Sequence, residues 1–123
     1  MQEVEQTRMS SVSETENERR INEYIARKSR IVSAKEFDGN GKVLIFNSNK
    51  VKPDHQGKFG VVVQYIVKEE LSGIEREVNA SAVSLITGIQ SKLREKPAGT
   101  DVKLLIKKTG SGTDTRYIVE HAN

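Results

Sequence analysis

Hydrophobic and polar residues alternate in five separate stretches of the chain, which is the pattern of half-buried β-strands. Turn-forming residues separate the stretches, and each is rich in β-branched or aromatic residues. The five predicted strands cover residues 42–51, 59–69, 74–80, 101–108 and 115–121. In the fourth, Val102, Leu104 and Ile106 share one face, opposite Lys103 and Lys107. That strand should therefore be half buried, with a basic outer face.

The second and third predicted strands also indicate which side faces inward. In the second, the more apolar alternate positions are predicted to face the core: Phe59, Val61, Val63, Tyr65 and Val67. The opposite face still carries Val62 and Ile66, which could contact another chain. In the third strand glutamates alternate with other residues, and glutamates do not line a core. We therefore expect Ile74 and Val78 to point inward and Arg76 to lie near a rim.

Between the third and fourth strands the spacing becomes helical, over residues 81–97. One helix face is apolar, made of Ala82, Leu85, Ile86, Ile89 and Leu93. Ser81 is the predicted cap at the start, Pro97 and Gly99 end the helix, and Gly88 allows close packing. The order β-β-β-α-β-β predicts a mainly β fold, the five-stranded Greek-key barrel called the OB-fold, with the helix plugging the barrel.

The segment before the first strand is polar and forms a separate region. We predict a tail over residues 1–34 and the barrel domain over 35–123. Residues 1–12 should be disordered, and a helix is predicted over 13–29, because Ser13 and Glu16 fit a capping box. Its short apolar stripe, which should dock on the domain or on a partner chain, is Ile21, Tyr24 and Ile25.

Composition narrows the class of protein. The chain has no cysteine, which excludes disulfides, thiolate metal sites and cysteine nucleophiles. It has no apolar run of the ~20 residues that a membrane helix needs and no apolar signal segment. We expect a cytoplasmic protein of a prokaryotic cell or a virus-infected host. Residues 31–123 hold fourteen bases and eleven acids, so the excess of three positive charges lies there. Such an excess permits polyanion binding.

The stretch "KKTGSGTDTRY", residues 107–117, is the most glycine-rich candidate for chemistry. It lacks the lysine and the following helix of a nucleotide-binding loop, so a β-hairpin with glycines at positive φ is predicted.

His55 and His121 have no catalytic partners in sequence, and "DGNG" lacks the ligand spacing of a calcium loop. We therefore expect a protein without enzymatic activity, metal, cofactor or small-molecule substrate.

The remaining indication of function is the lysines and arginines around two predicted loops. In an OB barrel the loop between the first two strands and the loop between the last two border one face. Positive charge and flat side chains on that face would bind single-stranded nucleic acid. The candidate stacking residues are Phe46, Phe59, Tyr65 and Tyr117. The complete candidate set is Lys50, Lys52, Lys58, Phe59, Tyr65, Lys68, Arg76, Lys103, Lys107, Lys108, Arg116 and Tyr117. Against it, Phe59 and Tyr65 have core parity, and nearby glutamates oppose polyanion binding.

Residues 36–120 resemble small OB-fold single-stranded-DNA-binding proteins of archaea, viruses and phages. The stretches that carry the resemblance are "FDGNGKVLIFNSNKV", "KFGVVVQYIV", the helix, and "GTDVKLLIKKTGSGTDTRYIV". The resemblance implies a role in DNA replication or repair, with binding through the first three strands and both loops. By position it implies contacts from Lys50, Lys52, Lys58, Lys68, Lys107, Lys108 and Arg116. Val62, Gln64 and Ile66 occupy the outward positions where that family places a stacking aromatic residue.

Two hypotheses follow. The first is sequence-tolerant binding of single-stranded nucleic acid, DNA favoured over RNA, by a chain that can form a homo-oligomer. The alternative is a protein-interaction or assembly module that uses the outer strand face and the N-terminal helix.

Overall fold

Six antiparallel strands form one sheet in the computed structural model, which describes residues 12–122 and gives only the backbone at 12–14 and 26–28. The strands are β1 (Lys42–Asn47), β2 (Val51–Gly57), β3 (Gly60–Glu69), β4 (Glu75–Ala80), β5 (Asp101–Thr109) and β6 (Arg116–His121). The helices are α1 (Val12–Arg30) and α2 (Val83–Leu93), with short 3-10 helices at Ala34–Phe37 and Gly112–Asp114. The predicted mainly β class is confirmed.

The long strand β3 organises the sheet. Along the main path the order is β2-β3-β1-β5-β6, and β4 pairs with the other edge of β3. Ile45 of β1 pairs with Lys68 of β3, while β2 pairs with β3 from Val51 to Gly57. Thus β1 and β2 lie end to end along one edge of β3 and act as one strand bent at residues 48–50. Within residues 12–122 β4 and β6 are not paired, so the sheet is open there.

Strand β2 was not predicted, because residues 52–58 read as a loop. Pro53 and Asp54 disfavour a strand by composition. Proline is nevertheless tolerated in an edge strand or at a bulge, where its missing N–H is not needed. Both conditions hold here, since β2 ends the main path and its register with β3 shifts between Lys52 and His55.

The core lies between one face of the sheet and α2. Its most deeply buried side chains are Leu44, Phe46, Tyr65, Val67, Ile89, Leu104 and Ile106. The predicted inward face of β5 is confirmed, as is the apolar face of α2. Gly88 brings α2 close to β6, because a Cβ there would lie 2.7 Å from the Val119 Cγ2 atom. The close packing predicted for this glycine is confirmed.

Several local predictions are wrong at the ends of elements. Ile74 is 60% exposed and precedes β4, while Arg76 is buried beside Val78. Helix α2 has Ala82 rather than Ser81 at its N-cap, and it ends at Leu93, before the predicted end at Pro97.

The described part of the chain divides at Arg30–Ile31 into two units. Val32 is buried and Ile31 forms a parallel bridge to Glu77, so the second unit is folded from its first residues. Helix α1 starts at Val12, which puts Ser13 inside the helix. The disorder expected for residues 1–12 concerns residues that, except for Val12, lie outside the described part.

Candidate nucleic-acid interface

The hairpin formed by β2 and β3 extends beyond the rest of the sheet. Strand β4 covers β3 only from Val63 to Lys68, whereas pairing with β2 continues to Gly57 and Gly60. Residues 55–62 are therefore two-stranded, and we call them the hairpin arm. In the arm, Gln56, Lys58, Phe59 and Val61 are exposed, whereas the other four residues are half-buried.

Phe59 lies at the tip of the hairpin arm and is 95% exposed. The prediction that Phe59 and Val61 face the core is wrong, because Phe59 lies in the turn before β3 and the core does not extend as far as the tip. Val61, two residues further, is also exposed. The Lys58 ammonium lies 5.5 Å from the centre of the Phe59 ring, within cation–π range. The arm thus combines a free aromatic face with an adjacent cation.

Lysines continue from the arm onto the outer face of the sheet, the face opposite the core. Lys52 pairs with Gln64, whose side chain points away from the core, and Lys68 pairs with Ile45. A shallow depression on this face is bordered by Lys50 and Lys68. Its other lining residues on this face are Ile45, Asn47, Ile66, Glu75 and Asp101. Lys50, Lys52 and Lys68 are all exposed, so they can reach a ligand lying along β2 and β3.

Acidic groups interrupt this positive surface. Lys103, on the other side of Ile45, bonds to Glu70 at 2.8 Å. Glu75 and Asp101 border the depression, and the Gln64 amide donates to the Glu77 carboxylate at 3.3 Å. Toward the arm Lys52 and Lys58 outnumber Asp54, whereas toward β4 these acidic groups offset the lysines.

The second predicted basic loop, between β5 and β6, does not lie beside the hairpin arm. β5 and β6 do form the predicted hairpin, with Gly110 and Gly112 at positive φ. Asn47 pairs with Asp101 and Lys42 with Ile106. The β5–β6 tip therefore leaves one end of β1, while the hairpin arm continues from the other.

The basic residues of the β5–β6 hairpin have different surroundings. Lys107 lies on the outer face, paired with Ile118. Lys108 lies on the other face and contacts the Asp38 carboxylate at 3.0 Å. Arg116 is exposed and donates to the Thr115 carbonyl at 3.0 Å. These three side chains do not form one continuous cluster.

Aromatic candidates other than Phe59 pack in the interior. Tyr65 is 1% exposed, and its hydroxyl donates to the Gln90 Oε1 atom at 2.9 Å. Burial raises the pKa of Tyr65 to about 12. Phe46 packs edge to face against Tyr65. Tyr117 is half-buried, with its ring 6.0 Å from that of Phe37. None of the three presents a free ring face to a base.

Arg76, the last candidate, belongs to an ion cluster with Glu36, Lys42 and Glu69. Its guanidinium donates to both Glu36 oxygens at 2.7 and 2.9 Å and to the Glu69 Oε2 atom at 2.6 Å. It also donates to the Ile31 carbonyl at 3.2 Å, and the Lys42 ammonium lies 3.4 Å from Glu69. Arg76 is thereby committed to holding the start of the domain against β3 and β4.

Hydrogen bonds within the ion cluster shift its titrations. The bonds from Arg76 hold the pKa of Glu36 and of Glu69 below the ordinary value of 4.5, against the opposing effect of burial. The bonds to Glu36 raise the pKa of Arg76. Sequence reasoning missed this cluster because its members are up to 40 residues apart and follow no local pattern.

Comparison with known protein families, with curated proteins and with solved structures finds no match to this chain. Among residues 12–122, no group of three or more histidine, aspartate or glutamate side chains could hold a metal ion. No helix in the same range is both long and apolar enough to span a membrane.

Proposed function

We propose that the protein binds single-stranded nucleic acid, DNA in preference to RNA, along the hairpin arm and the neighbouring outer face of β2 and β3. The observation that carries the proposal is the 95% exposed ring of Phe59 beside Lys58. Proteins that bind single strands stack bases on such aromatic faces and contact the phosphates with nearby cations. Stacking accepts any base, so binding is proposed to be sequence-tolerant and to involve no catalysis.

The strand arrangement supports an OB-fold as the scaffold of this activity. If β1 and β2 are counted as one bent strand, the order becomes three strands, a helix and two strands, which is the OB-fold order. The bent strand pairs with both β3 and β5, as the first strand of a barrel must. In that scaffold the hairpin arm is the extension of the first two strands of the barrel.

Exposed lysines offer a path for the phosphates. Lys50, Lys52 and Lys68 lie on or beside the outer face, and Lys58 lies at the tip of the arm. Lys68 is nine positions after Phe59, a distance of about 30 Å in an extended strand. Four lysines contacting phosphate predict a slope of about −2.8 for log K against log salt concentration with a single strand. Glu75 and Asp101 reduce the affinity. Lys107 and Arg116 are proposed to contribute only with a strand long enough to reach the β5–β6 hairpin.

The test is fluorescence anisotropy with labelled oligonucleotides of about 15 nucleotides, near the upper end of known site sizes. The chain offers a matched control, because Leu71 is 97% exposed and lies at the opposite end of β3. Phe59→Ala should weaken binding about 5- to 150-fold, the range for loss of one stacked base. Leu71→Ala should leave the affinity unchanged.

The same assay tests the remaining parts of the proposal. DNA and RNA oligonucleotides of one sequence, and the corresponding duplex, report the preferred substrate. An affinity that ignores salt, or that Phe59→Ala and Leu71→Ala change equally, contradicts binding by the hairpin arm.

A further inference from the structure

Helix α1 carries a short apolar face at its centre. Ile21 and Ile25 are one turn apart and are 58% and 56% exposed, with the ring of Tyr24 beside them. Residues four apart share a helix face, so this row extends to Asn17 before Ile21 and to Ser29 after Ile25. All four positions are exposed, and residue 23 is the midpoint of the row.

Ion pairs within α1 stabilise it as a helix without covering this row. Arg19 pairs with Glu16 and with Glu23, and Arg20 pairs with Glu16. A 19-residue helix with a narrow apolar stripe is marginal by itself in water, so it gains from any surface that buries Ile21 and Ile25.

The distribution of charge along α1 indicates which kind of surface could cover Ile21 and Ile25. Residues 12–18 contain three acids, Glu14, Glu16 and Glu18, and no base. Residues 26–30 contain three bases, Arg27, Lys28 and Arg30, and no acid. The two ends of the helix therefore have formal charges of −3 and +3. The segment between them holds the apolar residues together with Arg19, Arg20 and Glu23, so its formal charge is +1. Such a helix is complementary to a second copy of itself running in the opposite direction.

We propose that α1 pairs antiparallel with α1 of a second copy of this chain, with a two-fold axis near residue 23. Ile21 of each copy then packs on Ile25 of the other, and Asn17 lies opposite Ser29. The acidic end of each helix faces the basic end of the other. A parallel pair would place like charges together at both ends. The antiparallel contact is closed, so it gives a dimer and not a filament.

The size of this contact sets its strength. A helix of 19 residues is about 28 Å long, and each copy contributes few apolar side chains. The area buried falls below the roughly 1,200 Å² of standard stable interfaces. The dimer should therefore be weak and, because its charges are exposed, weakened further by salt.

Sedimentation velocity of the full chain tests self-association without nucleic acid. We expect a concentration-dependent dimer at low salt that dissociates at high salt. The double variant Ile21→Ser, Ile25→Ser should remain monomeric. Leu71→Ser, which removes an even more exposed apolar side chain from the folded domain, should dimerise like the unmodified chain. A chain that is monomeric at every concentration and salt overturns the proposal.

Cysteine cross-linking tests the orientation, because an introduced cysteine is the sole thiol of the chain. A mixture of Asn17→Cys and Ser29→Cys chains should form a mixed disulfide under mild oxidation, while neither chain should link efficiently to itself. Self-linking of Asn17→Cys faster than mixed linking would show a parallel pair and overturn the antiparallel arrangement. Both variants keep Ile21 and Ile25, and far-UV circular dichroism confirms that α1 remains helical.

Discussion

Replacing Arg76 by methionine should destabilise the folded domain, because the guanidinium is the centre of the ion cluster. Methionine keeps most of the length of the side chain and removes the charge. The variant loses three charge-assisted hydrogen bonds, two to Glu36 and one to Glu69, and the bond to the Ile31 carbonyl. It also leaves two carboxylates facing each other.

The expected magnitude lies between the limits for exposed and buried pairs. Removing one partner from a fully buried ion pair costs about 3–5 kcal/mol. The Glu36 and Glu69 side chains are about a quarter exposed, and Lys42 remains within 3.4 Å of Glu69 and 3.6 Å of Glu36. Water and Lys42 together compensate part of the loss. We therefore expect the free energy of unfolding to fall by about 2–3 kcal/mol at pH 7.

The loss of stability in the Arg76→Met variant should also depend on pH. Arg76 holds the pKa of Glu36 and of Glu69 below 4.5 in the folded state. A depressed carboxyl pKa contributes stability that is present above the unfolded pKa and is lost as pH falls through the folded pKa. The difference between the Arg76→Met variant and the unmodified chain should therefore shrink below pH 4.5.

Urea denaturation followed by circular dichroism, at pH 7 and at about pH 3, measures both effects. Lys103→Met is the matched control, because Lys103 and Glu70 form a pair that is about one-third exposed. That control should cost at most about 1 kcal/mol. A loss below about 1 kcal/mol for Arg76→Met at pH 7, or an undiminished loss at pH 3, would show that the ion cluster does not hold the domain together as described.

Three further predictions concern the core and the lysines. Tyr65→Phe should cost about 1 kcal/mol through loss of the bond to Gln90. Because burial raises the pKa of Tyr65 to about 12, the unmodified chain should also lose stability between pH 10 and 12 in urea titrations, and the variant should lose less. Gly88→Ala should destabilise by about 1 kcal/mol net, since crowding against Val119 costs more than the gain in helix propensity. In a chain that also carries Val119→Ala, the contact with Cγ2 is gone but the Cβ of residue 119 remains 3.0 Å away, so thermal denaturation should show a smaller loss for Gly88→Ala than in the unmodified chain. Replacing Lys52 and Lys58 together by alanine should reduce the magnitude of the salt slope of oligonucleotide binding by about 1.4, whereas Lys35→Ala and Lys96→Ala together should leave it unchanged.

Local sequence patterns were sufficient to predict core residues where one face of a strand or helix is buried along its whole length. The alternation in β5 and the helical spacing of α2 correctly identified Val102, Leu104, Ile106, Leu85 and Ile89 as core residues. Periodicity reports burial directly in such elements, so no knowledge of their partners was needed.

Sequence reasoning failed where non-local pairing decides the outcome. β2 is a strand because β3 pairs with it, although Pro53 and the polar residues around it predict a loop. Arg76 turns inward because Glu36, 40 residues earlier, reaches it. Ile74 turns outward because β4 begins only at Glu75.

The same limit applies to the candidate site. Phe59 was identified as a stacking candidate, but its exposure depends on where β4 stops covering β3. That end point is a property of the sheet and not of the residues around Phe59. The charge of Lys50, Lys52 and Lys58 was evident from the sequence, whereas the direction in which the β5–β6 hairpin leaves the sheet was not.

The most direct test of nucleic-acid binding by the hairpin arm is photochemical cross-linking. A single-stranded oligonucleotide containing 5-iodouracil is irradiated with the full chain, and the linked peptide is identified by mass spectrometry. The proposed function predicts a link at Phe59, lost in the Phe59→Ala variant and kept in the Leu71→Ala variant. Links confined to the β5–β6 hairpin or to α1, with none on residues 55–62, would contradict it.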